Sequence, residues 1–199
     1  MLYPLPFPTK APRDQRLTIT RKQSATESTF TFATQVVHAA SQWQLEWAWP
    51  AMRHVTAEAV SAWLDSLNGQ VGTFTYYPYQ SSYSALSGRS LAGTASPYAT
   101  TLVATGWAGG AATTLRAGQY FQLGAQLLKI VTANATADAN GQVTINFQPE
   151  LRSTFNVGTG INFANPCGIF RLNSSDGAGF TLTPDRKPEL GTYQAREVI

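Results

Sequence analysis

Gln42-Trp43-Gln44-Leu45-Glu46-Trp47-Ala48-Trp49 alternates large apolar with polar side chains. Such a period of two places Trp43, Leu45, Trp47 and Trp49 on one face and Gln42, Gln44 and Glu46 on the other, as in a half-buried strand. Pro50 stops that strand. Thr56 then offers an N-cap with Glu58 in the first turn, and Val60, Trp63, Leu64 and Leu67 recur at the spacing of one helix face. The predicted helix therefore runs over about residues 57–67, with an apolar side that includes a fourth closely spaced tryptophan. Asn68-Gly69 supplies a left-handed stop, and Val71 to Pro78 reads as the next strand, entering through Phe74. Trp43, Leu45, Trp47, Trp49, Val60, Trp63, Leu64, Leu67 and Phe74 are the expected core of this strand–helix–strand unit.

Outward from this unit the pattern stays predominantly β. Arg16 to Thr20 and Ser28 to Val37 read as strands, the second alternating Phe30, Phe32 and Val36 with Thr29, Thr31 and Gln35. Together with the tryptophan strand and Phe74 to Tyr77 they are expected to make an antiparallel sheet for the helix to cover. After Pro78 the composition turns to Ser, Ala, Gly and Tyr through Gly88, which marks a linker. Further strands are expected over Thr100–Thr105, Tyr120–Leu123, Gln126–Thr132 and Gln142–Phe147. Their turns are Gly124-Ala125 and Asp138-Ala139-Asn140-Gly141. Short strands with glycine turns indicate a small barrel or sandwich. Gly179–Thr183 and Gly191–Ile199 read as returning strands, with Pro184 and Pro188 in the turn between them. The expected fold class is thus mainly β: a β-barrel or sandwich with one helix, formed by residues 1–82 with 173–199, into which a small β domain over 83–172 is inserted.

A chain of 199 residues with 43% hydrophobic content can bury a real core. Its charged fraction of 13% is about half of the roughly 25% usual in soluble domains, so its polar surface is carried by Thr, Ser, Gln and Asn, as suits a protein packed against neighbours. The net charge is only +3, and the basic residues are spread out apart from Lys10, Arg13, Arg16, Arg21 and Lys22, which read as a solvated arm rather than a nucleic-acid footprint. One cysteine, Cys167, excludes an internal disulfide. The first eight residues lack the features of a secretory leader, and no run approaches the ~18 apolar residues of a membrane span. Synthesis in the cytoplasm and no membrane insertion are expected.

Chemistry is harder to find. His38 and His54 stand at no metal-ligand spacing, Cys167 lies in no cysteine-enzyme signature, and the eleven acidic residues form no evident catalytic pair. Glu46 sits on the polar side of its strand, where solvent or an arginine partner is the expected surrounding. Gly106-Trp107-Ala108-Gly109-Gly110 lacks the Lys-Ser/Thr of a phosphate loop and reads as a turn. Tyr76, Tyr77, Tyr79 and Tyr83 offer ring faces to a sugar, although packing against the tryptophans accounts for them too. No catalytic, metal or cofactor site is expected. Four prolines break Met1 to Pro12 into an extended arm that is apolar through Leu2, Tyr3, Leu5 and Phe7. With Arg13 and Arg16 these residues form a candidate subunit interface, the alternative being that the arm packs on its own barrel.

The motif Leu67-Asn68-Gly69-Gln70-Val71-Gly72-Thr73-Phe74 after a helix resembles the distal tail proteins of long-tailed bacteriophages. So do the later Leu115 to Gly124, Lys129-Ile130-Val131 and Pro149-Glu150-Leu151-Arg152. The resemblance runs from about Phe30 to Ile199 and rests on glycine and aromatic punctuation. It implies a structural virion protein of the tail tip or baseplate, a homo-oligomeric ring, commonly a hexamer, that joins the tail tube to hub or fibre proteins. It implies no catalytic residues. A carbohydrate-binding module and a hydrolase with an unrecognised site stand as alternatives from other classes.

Overall fold

The computed structural model describes residues 2–79, 86–175, 179–182 and 187–198. It is mainly β with one helix among the described residues, and it contains a closed six-stranded barrel. The tryptophan strand belongs to a longer one, β3 (Thr34–Ala48), which pairs antiparallel with β2 (Asp14–Glu27). Four further strands complete their sheet: β1 (Leu5–Pro6), β4 (Phe74–Tyr76), β11 (Gly168–Leu172) and β14 (Thr192–Glu197), in the order β1-β4-β11-β14-β3-β2. Because side chains alternate along β3, Trp43, Leu45 and Trp47 all reach the same core, where each is at most 1% exposed.

The helix α1 (His54–Ser66) covers that face with Ala57, Val60 and Leu64 buried; Leu67, just past its end, is buried as well. It starts earlier than the sequence suggests. Arg53 is the N-cap residue and makes no side-chain cap bond, so Thr56 lies inside the first turn, its N–H donating to Arg53 O at 3.0 Å. Trp63 is half-buried rather than sealed in the core, packing at its rim with its indole N–H donating to Pro6 O at 2.9 Å. The stop follows the expected chemistry, with Asn68 and Gly69 at φ of 49° and 61°. Gly72 then has to be small: a Cβ there would stand 2.6 Å from both Leu67 O and the Tyr3 ring. This tight passage leaves only Phe74–Tyr76 of the expected Val71–Pro78 strand in the sheet.

Between β4 and β11 the chain forms the closed barrel, in the order β10-β5-β6-β9-β8-β7. Its strands are β5 (Arg89–Leu91), β6 (Thr101–Thr105), β7 (Tyr120–Leu123), β8 (Gln126–Ala133), β9 (Gln142–Gln148) and β10 (Gly160–Asn162). Phe121, Phe147, Phe163, Ile145 and Leu128 fill it. At the β8–β9 turn the Asp138 carboxylate accepts the N–H groups of Asn140 and Gln142, both at 2.8 Å. β11 lies inside the 83–172 stretch read from the sequence as the insertion, yet it pairs with β4 and β14 of the outer sheet, so the chain is back in that sheet by Gly168. Pro188, expected in a turn, begins β13 (Pro188–Leu190), which pairs with β12 (Phe180–Leu182). Pro184 and Ile199 lie outside the described residues, as do Met1, Tyr83 and most of the Ser/Tyr/Ala linker.

Candidate functional site

Of the strand expected over Ser28 to Val37 only Thr34 to Val37 is extended, as the outer end of β3, while residues 28–33 turn. β2 and β3 instead make one long hairpin whose distal part leaves the sheet, and its turn falls at residues 28–33. There Ser28 N–H donates to Ala33 O at 2.9 Å, and Phe32 adopts φ of 55°. Periodicity reports which side chains share a face but not whether anything covers that face, and among the described residues nothing does. From Thr20 to Glu27 and from Thr34 to Ala39 both faces of the ribbon are exposed. Phe30 is 93% exposed, Phe32 77%, and Val36 and Val37 57% each. A two-stranded ribbon alone is marginal in water and gains stability from a third strand or a packed surface.

The N-terminal arm, in contrast, is occupied within the chain. Leu5 and Pro6 extend the sheet in parallel with β4, with Leu5 N–H donating to Thr73 O at 2.9 Å. Tyr3 Oη donates to Ser66 O at 2.8 Å, and the Trp49 indole donates to Lys10 O at 3.0 Å. Phe7 sits among Trp47, Trp49, Trp63, Phe74 and Tyr76, with ring centroids 5.5–6.1 Å away. Of the six residues read as a subunit interface, Tyr3, Leu5 and Phe7 thus lie on the chain's own core, while Leu2, Arg13 and Arg16 remain on the surface. Arg13 pairs with Asp14 at 2.7 Å and approaches Glu189 at 3.7 Å. The expected core residues Trp43, Leu45, Trp47, Trp49, Val60, Leu64, Leu67 and Phe74 are all buried.

Beside the arm, Phe7, Pro8, Pro12, Gln15 and Tyr76 line a groove of about 430 Å³, with Tyr77 and Tyr79 at its rim. Tyr76 is committed to the fold, its hydroxyl donating to Gln15 Oε1 at 2.8 Å, and burial pushes it up to about 12. Tyr77 and Tyr79 are exposed. Cys167 is half-buried; burial raises its thiol above the ordinary value, against hydrogen bonds with Gln122 and Tyr77, so it lacks the activation of a nucleophile. Glu46 stands opposite Arg16 in register on the outer side of the sheet. His54 opens the helix. Among the described residues no group of three or more His, Cys, Asp or Glu side chains is placed to hold a metal ion, and no helix is long and apolar enough to cross a membrane.

One polar cluster escaped sequence reading, because its members lie far apart along the chain. Glu150, in the loop after β9, is buried and accepts the Ser41 N–H at 2.7 Å and the Ser41 hydroxyl; His38 Nε2 stands 3.6 Å away. Burial pushes Glu150 up, but Ser41, backbone N–H groups and Arg152 outweigh it and leave the carboxyl below its ordinary range. Ser and His both meet the carboxylate rather than each other, so the geometry lacks the base–nucleophile contact of a catalytic triad. The cluster ties β3 to the loop after β9.

Compared with known proteins, the sequence matches no protein-family model and no curated protein at a significant level. The fold that carries these features is a six-stranded sheet with a covering helix, a closed barrel packed against it, and a projecting hairpin.

Proposed function

We propose that the chain is a structural subunit of a phage tail tip or baseplate, acting through assembly rather than catalysis. In this reading it forms a homo-oligomeric ring, commonly six-fold in the family it resembles, which joins the tail tube to the hub or fibre proteins of the virion. The observation that carries the reading is the distal β2–β3 hairpin. Its exposed aromatic tip and two uncovered faces are what a subunit offers when a neighbour completes its structure. The sparse surface charge and the motifs around Leu67–Phe74 and Leu115–Gly124 support the same direction.

Native mass spectrometry and negative-stain imaging of the full chain test it. A ring is expected for the wild type, and a monomer with unchanged near-ultraviolet circular dichroism for a variant in which residues 24–37 are replaced by a short Gly/Ser turn. A wild type that stays monomeric at high concentration, or a ring that survives loss of the hairpin, counts against this reading. A carbohydrate-binding role is favoured by one feature, the exposed Tyr77 and Tyr79 beside the arm groove. Saturable glycan binding that is lost in Tyr77→Ala together with Tyr79→Ala distinguishes it.

A further inference from the structure

Where the small barrel meets the sheet, Leu127 of β8 is gripped from both sides. Its carbonyl accepts the Trp43 indole N–H at 2.7 Å, its own N–H donates to Glu197 Oε1 at 3.0 Å, and its side chain sits in the core of the sheet. Glu197, at the end of β14, points into that core because it stands opposite Phe170 in register. It is 5% exposed, and its second oxygen, Oε2, is buried without a well-formed hydrogen bond, although the Trp43 backbone N–H is near enough to favour the charged form. Across the same junction Arg152 has two guanidinium nitrogens, Nε and Nη2, that are equally buried and without an acceptor. Its main chain is fixed, since Arg152 N–H donates to Gln126 Oε1 at 3.1 Å while Gln126 Nε2 donates to Glu150 O at 2.7 Å. The guanidinium acts on Glu197 through its charge without bonding to it. A buried carboxyl oxygen and two buried guanidinium nitrogens thus lie at one junction without a hydrogen bond, although buried polar groups are normally satisfied.

We propose that Glu197 and Arg152 form a proton-controlled latch: while the carboxyl carries a proton the guanidinium stands apart, and on ionisation it closes onto Oε2, changing how the barrel is fastened to the sheet. Burial is the main force that keeps the proton on, pushing Glu197 up to about 7 against the N–H groups of Leu127 and Trp43 and the charge of Arg152. The other charged or titratable groups around the junction are Glu150, held by Ser41; His38 beside it; Lys22, which lines the same crevice as Arg152; and Tyr120, packed on Trp43 with the Lys129 ammonium over its ring. Arg171 and Arg196 occupy the alternate register position and lie on the other face of the sheet.

The test is a titration of the full chain from about pH 5 to about 9, followed by the NMR signals of the Glu197 carboxyl carbon, the Leu127 N–H and the Arg152 Nε–H. It is run on H38Q, which removes the imidazole beside Glu150. All three signals are expected to shift together with one midpoint near neutrality, and E197Q is expected to abolish the shift. R152Q is expected to raise the midpoint, making the carboxyl a weaker acid by about tenfold. A Glu197 midpoint in the ordinary carboxylate range, or an Arg152 Nε–H that stays still while Glu197 titrates, overturns the proposal. So does an R152Q midpoint equal to that of its parent; should R152Q fail to fold, the Arg152 Nε–H signal of the parent decides alone.

Discussion

Phe7→Ala tests whether the N-terminal arm is part of the fold. Full truncation of a buried phenylalanine costs about 3–5 kcal/mol. Phe7 is half-buried, which reduces the transfer part of that cost, but its ring meets five aromatic rings, three of them edge-on. Such pairs contribute about 0.5–1.5 kcal/mol beyond area and are not additive, so the expected loss is about 2–4 kcal/mol. For a chain of this length that corresponds to a fall in Tm of roughly 4–16 °C. Urea denaturation followed by tryptophan fluorescence reads it directly, with an unchanged slope if the denatured state is unaffected. Leu2→Ala is the control: Leu2 is 93% exposed, and its loss is expected to stay within about 0.5 kcal/mol. If the midpoint of Phe7→Ala moves no further than that of Leu2→Ala, the arm is not packed on the chain's own core.

Other outcomes follow from the same contacts. Thr56→Ala is expected to change stability by less than about 0.5 kcal/mol, since no cap bond is lost, whereas Trp63→Ala is expected to cost about 2–4 kcal/mol; equal denaturation midpoints for the two contradict this. Ser41→Ala leaves the buried Glu150 carboxylate short of a donor and is expected to cost about 1–3 kcal/mol, measured by the same urea series at neutral pH. For Glu197 the folded value, about 7, lies above the ordinary 4.5, so between those two the folded state holds a proton that the unfolded state has released. The wild type therefore loses stability as pH rises through that window, by about 2–4 kcal/mol in total from this group, and the loss levels off above it. Glu197→Gln is expected to flatten that part of the profile and to be the more stable protein above neutrality, which calorimetry across the window checks.

The inner half of β3 was legible because Trp43 to Trp49 obey a period of two and their face is covered. The stretch from Ser28 to Val37 shows nearly the same period, with Phe30, Phe32 and Val36, yet it holds the hairpin turn and only the outer end of β3: alternation is blind to what, if anything, lies opposite. Sequence alone sets the helix start too late because Thr56 is a good cap by type, whereas the backbone turns at Arg53 without a side-chain cap. β5, β10 and β13 are three-residue strands, too short for any periodicity to register. The Glu150 and Glu197 sites could not be read at all, since Ser41 and Glu150 are 109 positions apart and Leu127 and Glu197 are 70 apart.

The grip on Leu127 bears on how such a chain can change over evolutionary time. A barrel encoded between two neighbouring strands looks like a cassette, free to be lost or exchanged through its two ends. Excision would nonetheless strip the Trp43 indole of its acceptor, leave Glu197 facing a void and remove an apolar plug from the sheet's own core. Any replacement must bring a residue with a free peptide group and an aliphatic side chain to that one place. Lineages that swap or shed the barrel are therefore expected to alter the positions of Trp43 and Glu197 together with it.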